Sequence, residues 1–181
     1  MTRSEHCSTQ QDQSDHHSDS ADRAALLAPA ELIQAIAGRF TGDSPLIGWA
    51  RELGDLHAEL LPLRRGSAPR ADDLDGERVR TGIDRVIDEI DDWAARHVTR
   101  TRCGRVHTHS LGNVMSHIAK TYAEAWWAVL HTADVEVRHH AWLCLGEVRQ
   151  GYADMVDEIR GRHLRLPFGT GVIQRGGSCW S

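Results

Sequence analysis

Ser110-LGNVMSHIAKTYAEAWWAVL-His131 decides the fold of this chain. Leu111, Val114, Met115, Ile118, Tyr122, Ala125, Trp126 and Val129 recur in it at steps of three and four. That spacing puts them on one stripe of an α-helix, and no alternating pattern competes with it. Ser110 is a residue type that caps a helix N-terminus, so the helix is predicted to start there and to end near His131.

The same period extends on both sides. Val137, Ala141, Leu145, Val148, Tyr152, Met155 and Ile159 mark a fifth helix from Asp134 to about His163, stopped by Leu166-Pro167. Val79, Ile83, Val86, Ile87, Ile90, Trp93 and Ala94 mark a third helix from about Asp73 to His97. A second opens at Ser44-Pro45 and carries Leu46, Trp49, Leu53, Leu56, Leu60 and Leu63, with Pro62 expected to kink or end it. A short first helix fits Pro29 to about Arg39. The fold expected is all-α: an antiparallel helical bundle of about five helices.

Residues 1–27 are Ser-, Asp-, Gln- and His-rich and show no apolar period, which predicts a disordered polar tail. The bundle domain is expected at 28–167 and a Gly-rich C-terminal tail at 168–181. His6, His16 and His17 read as solvated tail residues rather than as a metal-binding tract.

Of 181 residues, 40% are hydrophobic and 26% charged, enough to bury a core without a staple. The net charge of −5 argues against nucleic acid as a partner. No apolar run is long enough to span a bilayer, and the first residues lack a secretory apolar core, so no membrane association and a cytoplasmic location are expected. The four cysteines include no Cys-x-x-Cys pair, and Cys144 reads as a small buried hydrophobe.

Chemistry-bearing residues gather in one place. His107, His109 and His117 stand before and within the fourth helix, and Glu124 follows. His117, Thr121 and Glu124 are spaced four and three apart and are expected on one face away from the apolar stripe, with Lys120 beside them. Neutral imidazoles with a carboxylate suit zinc, iron or copper, so His107, His109, His117 and Glu124 form a candidate transition-metal site. The plainer reading is a solvated face with one loop histidine. Glu136-Val-Arg-His139 has the Glu-x-x-His pattern of di-iron bundles, but such sites need two copies and only one is present in the bundle.

Asp84, Asp88, Asp91 and Asp92 could form a cation site or a pair of catalytic carboxylates, but a solvated acidic face neutralised along the helix by Arg80 and Arg85 is the expected reading. The run from Ile83 to Asp91 also resembles the opening helix of helical chorismate mutases, but the basic residues that hold a dicarboxylate do not follow in order. Trp49, Trp93, Trp126 and Trp142 read as core. Adjacent Trp126 and Trp127 diverge by about 100°, so Trp127 should meet another helix, a partner subunit or a ligand. Phosphate loops, dinucleotide fingerprints, nucleophile elbows and His-Glu-x-x-His are absent.

Trp49-Ala-Arg-Glu-Leu, Ile90-Asp-Asp-Trp93, Thr108-His-Ser-Leu-Gly112, Gly151-Tyr-Ala-Asp154 and Leu166-Pro167 together resemble the actinobacterial branch of domain-of-unknown-function family 4254, over roughly Leu46 to Pro167. The resemblance implies a helical fold and no established activity. That family usually has Glu where His109 stands and Asp-Arg where Ser116-His117 stand, so this chain trades charged groups for imidazoles there.

Two functional readings follow. The preferred one is a binding or accessory module, with a homodimer or protein partner on its aromatic helix faces, or a small-molecule ligand. The alternative is a small metal-dependent or acid/base enzyme using His109, His117 and Glu124, with Glu136 and His139 approaching from the fifth helix.

Overall fold

A computed structural model describes residues 26–65, 72–98 and 104–167. The fold is all-α. Its helices are α1 (Pro29–Ile36), α2 (Pro45–Arg65), α3 (Asp72–His97), α4 (Leu111–His131) and α5 (Val135–Arg160). Two short strands, β1 (Arg105–Val106) and β2 (Leu164–Arg165), pair in parallel, with Arg105 opposite Leu164 and Val106 opposite Arg165. Among the described residues no helix is long and apolar enough to cross a membrane.

Among the described residues α4 is the central element and packs against the four other helices. Its composition suits that position. Gly112, Ser116, Ala119 and Ala123 recur at steps of four, three and four and are all buried, so the helix presents a small-residue face as well as its large apolar stripe. Leu111, Met115 and Ile118 are fully buried, and meet a core that includes Leu46, Leu53, Val79, Val86, Ile90 and Val156. α1 is held by a close backbone approach: a Cβ on Gly54 of α2 would stand 2.7 Å from the Ile36 carbonyl oxygen. Glu31 accepts a hydrogen bond from the Ala28 N–H at 2.8 Å and so satisfies one open donor at the start of α1.

Several expectations shift. Pro62 lies inside α2, which continues to Arg65. α5 ends at Arg160, a few residues before the expected end near His163, because Gly161 caps it and Arg162 adopts a left-handed φ of 58°. The chain freed by that early stop supplies β2, which single-sequence periodicity could not reveal in two residues. Leu26 and Leu27, assigned to the polar tail, are buried in the core. The expectations for 1–25 and for 168–181 lie outside the described residues. Val137 is exposed, Trp142 is 40% exposed and Trp49 and Trp126 are half-buried, so of the four expected core tryptophans Trp93 alone is buried. Leu145 is the first buried residue of α5, which accounts for Val137 and Trp142, whereas Trp49 packs against the core from a half-buried position. Cys144 is half-buried, with its Sγ 3.6 Å from His140 Nε2.

The acidic face of α3 also divides. Asp84, Asp88 and Asp92 are exposed, whereas Asp91 is buried. Arg85 pairs with Glu89 and with Glu52 of α2, and Arg80 pairs with Glu77, so neither arginine is bound to the aspartates it was expected to neutralise.

Candidate functional site: a histidine-lined cleft

The site is built from the N-terminus of α4 upward. Ser110 occupies the N-cap and its Oγ accepts from the Asn113 N–H at 3.3 Å and from Asn113 Nδ2 at 2.8 Å. Asp91 reaches across from α3 and accepts from the Gly112 N–H at 2.7 Å. Two of the four open N–H groups of the helix start are thus satisfied, one by a carboxylate at its positive end. The approach is tight, since a Cβ on Gly112 would lie 2.5 Å from the Ile87 carbonyl oxygen.

Burial raises the Asp91 carboxyl above its ordinary range. The Ser110 hydroxyl and the Gly112 N–H lower it in part, and the charges of Asp88 and Asp92 add to the rise. A raised pKa means that the folded state holds the proton more tightly than the unfolded chain. The stability from this group is therefore complete below the usual carboxylate range and is lost as pH rises through the raised value. Asp91→Asn removes the titration while its amide oxygen can still accept from Gly112. Melting temperatures of the two proteins are expected to converge, or to cross in favour of wild type, as pH falls from neutral through that window. A difference independent of pH would refute the assignment.

One turn beyond the anchored N-terminus, Ser116 is buried, and its Oγ lies 2.9 Å from Nε2 of buried His57 on α2. Both side chains border an open cleft of about 550 Å³. Its rim carries His107, His109, Asn113, His117 and Lys120, and its floor includes Val148, Tyr152 and Met155 of α5. Gly151 belongs to the α5 wall, and a Cβ there would meet nothing within 4 Å.

The loop that brings the histidines is fastened from both sides. The His107 N–H donates to the Arg165 carbonyl at 2.9 Å, and Arg105 bridges to Glu158 at 3.0 Å. His107 Nδ1 lies 2.7 Å from the His109 carbonyl oxygen, and His109 Nδ1 lies 2.9 Å from Thr108 Oγ1. Tyr152, fully buried, donates its hydroxyl to the Leu27 carbonyl at 2.8 Å, and burial pushes its phenol well above the ordinary range.

His107, His109 and His117 all border the cleft. The remaining candidates do not. Glu124 does not line the cleft and lies 3.9 Å from Lys120. Thr121 is buried and donates to the His117 carbonyl at 2.9 Å, so the expected face of His117, Thr121 and Glu124 is divided by the crowding around α4. Glu136 and His139 are exposed in the first two turns of α5, while the cleft wall begins at Val148. Among the described residues, no three His, Cys, Asp or Glu side chains converge as a metal site requires. Trp127 stacks on His131, with ring centroids 3.8 Å apart, and borders a second, shallower groove of about 430 Å³ with Tyr122, Trp126 and Leu130.

His57 was not singled out from the sequence, and Ser116 and Gly151 entered only through the family resemblance, with no site role. A signal existed for the first two. His57 sits at core spacing between Leu53 and Leu60, and Ser116 belongs to the small-residue series on α4. A polar group in such a position must find a partner inside the fold. Set against known proteins, the chain matches no family model, no curated protein and no solved structure.

Proposed function

We propose that the protein is a binding module whose cleft between α4 and α5 holds a small molecule with an anionic group and an apolar body. The observation that carries this reading is the lining itself. Four imidazoles and the Lys120 ammonium border the cleft, no Asp or Glu lines it, and apolar side chains form its floor. In a chain of net charge −5, a lining of N–H groups without a carboxylate favours an anionic group. The volume lies within the range of small-molecule sites, roughly 300–1,000 Å³. Leu130, Val135, Val137 and Leu143, exposed around the α4–α5 turn, fit the accessory part of the reading, in which a second protein chain covers this end. The resemblance to domain-of-unknown-function family 4254 belongs to the same proposal and adds no activity to it.

Titration with octanoate, followed by calorimetry, tests the cleft. Wild type is expected to bind. Lys120→Glu should weaken binding about tenfold or more, the worth of a charge-assisted hydrogen bond. Gly151→Leu should abolish it by filling the cleft, with no loss of stability, because open space surrounds that position and Leu favours helix over Gly. His117→Ala serves as the folding control. His117 is exposed, so its melting temperature should stay within about 2 °C of wild type. Absence of octanoate binding, or binding untouched by Gly151→Leu, would remove the reading.

A further inference from the structure

The His57–Ser116 contact is a buried polar pair between side chains of different helices, and both residues border the cleft. A serine inside a helix ordinarily returns its hydroxyl to the carbonyl four residues earlier. Ser116 instead meets an imidazole 59 positions away in sequence, at 2.9 Å. That is the distance at which a hydroxyl nucleophile passes its proton to a base. Lys120, one turn along from Ser116 and also bordering the cleft, is held to Glu124 by a loose, half-exposed ion pair at 3.9 Å that it can exchange for a developing oxyanion, and Asn113, one of whose amide N–H groups is held by Ser110, lies on the same side.

We propose that Ser116 and His57 are a nucleophile–base pair that hydrolyses a small ester of an apolar carboxylic acid. The proposal rests on the ligand-binding reading of the cleft, whose anionic, apolar occupant corresponds to the acid released. In the first step the Ser116 hydroxyl proton moves to His57 Nε2 as Oγ bonds to the ester carbonyl carbon. The tetrahedral intermediate collapses, the bond to the alcohol oxygen breaks, and His57 returns the proton to the leaving alcohol. Water then attacks the acyl-serine and His57 takes its proton. Release of the acid restores the Ser116 hydroxyl with that proton. Water is the only co-reactant. Lys120 stabilises the carbonyl oxygen in both steps, and Val148 and Met155 receive the acyl chain.

The test uses the full chain with an alkyl fluorophosphonate and with 4-nitrophenyl octanoate. Intact-mass and peptide analysis should show one phosphonyl adduct, on the peptide containing Ser116, and none in Ser116→Ala. Ester turnover should vanish in Ser116→Ala and fall by about 100-fold or more in His57→Gln. Wild-type protein that binds octanoate but carries no adduct on Ser116 would overturn the nucleophile while leaving the binding module intact. Failure of both octanoate binding and labelling would overturn both. Labelling at Ser116 with an undiminished rate in His57→Gln would remove His57 as the base. The adduct on wild type decides the nucleophile even if a His57 variant does not fold.

Discussion

Gly112→Ala is expected to lower the stability of the fold by about 3 kcal/mol, at the upper end of ordinary overpacking. The added Cβ would stand 2.5 Å from the Ile87 carbonyl oxygen and 2.9 Å from its Cα. Both are backbone atoms of α3 and cannot rotate away as a side-chain tip could. Relief requires α4 to withdraw from α3, which lengthens the 2.7 Å bond from Gly112 N–H to Asp91 and leaves a buried carboxylate without that donor. In an exposed helix interior the same substitution would stabilise by about 1 kcal/mol, so the sign of the effect is itself diagnostic. Denaturant unfolding should show the loss, with a fall in Tm of roughly 10 °C. A neutral or stabilising result would mean that α3 and α4 lie further apart than described. Gly146 offers the internal comparison, since a Cβ there meets nothing within 4 Å and Gly146→Ala should be neutral or stabilising.

Tyr152→Ala carries the other large expected effect, about 4 kcal/mol of destabilisation, as for other buried aromatics cut to alanine. Tyr152 is 1% exposed and is the largest fully buried side chain among the described residues. It ties the chain before α1 to α5 through its bond to the Leu27 carbonyl. Truncation opens a cavity next to Met155 and Val156 and leaves a carbonyl without its donor. Tyr152→Phe separates the two contributions: it keeps the ring and should cost only about 1 kcal/mol. Because Tyr152 also forms part of the cleft floor, Tyr152→Ala should impair octanoate binding, while Tyr152→Phe should spare it. Equal losses in both variants would show that the hydroxyl, not the ring, dominates.

The phenol's raised pKa has a consequence of fixed sign. The folded state holds that proton more tightly than the unfolded chain, so the stability it contributes is lost as pH rises through the folded value, in strongly alkaline solution.

Much of this architecture was legible without coordinates. The helical period of α2 through α5 reports the need to bury one stripe, and that need is written residue by residue. Ser110 and Asp134 both serve as N-caps, as their residue types suggest. The histidine cluster was legible too, because His107, His109 and His117 are close in sequence and a single helix start gathers them. Residues contributed by distant segments were not. His57 and Ser116 look like an off-pattern polar residue and a small helix residue until two helices bring them to 2.9 Å. Asp91 shows the same limit: its period fits a solvated face, and only the approach of α4 makes it a buried cap.

The sequence by itself determined the elements: five amphipathic helices, their caps and the apolar faces they must hide. These depend on interactions within a few residues, so a local pattern contains them. Tertiary structure alone decided the site. Which polar groups meet, which carboxylate is buried, and which stretch of α5 walls the cleft all depend on contacts between residues far apart along the chain. Gly112 and Gly54 permit two backbone approaches on which that arrangement depends, and the absence of a side chain gives no local sign of what comes near it.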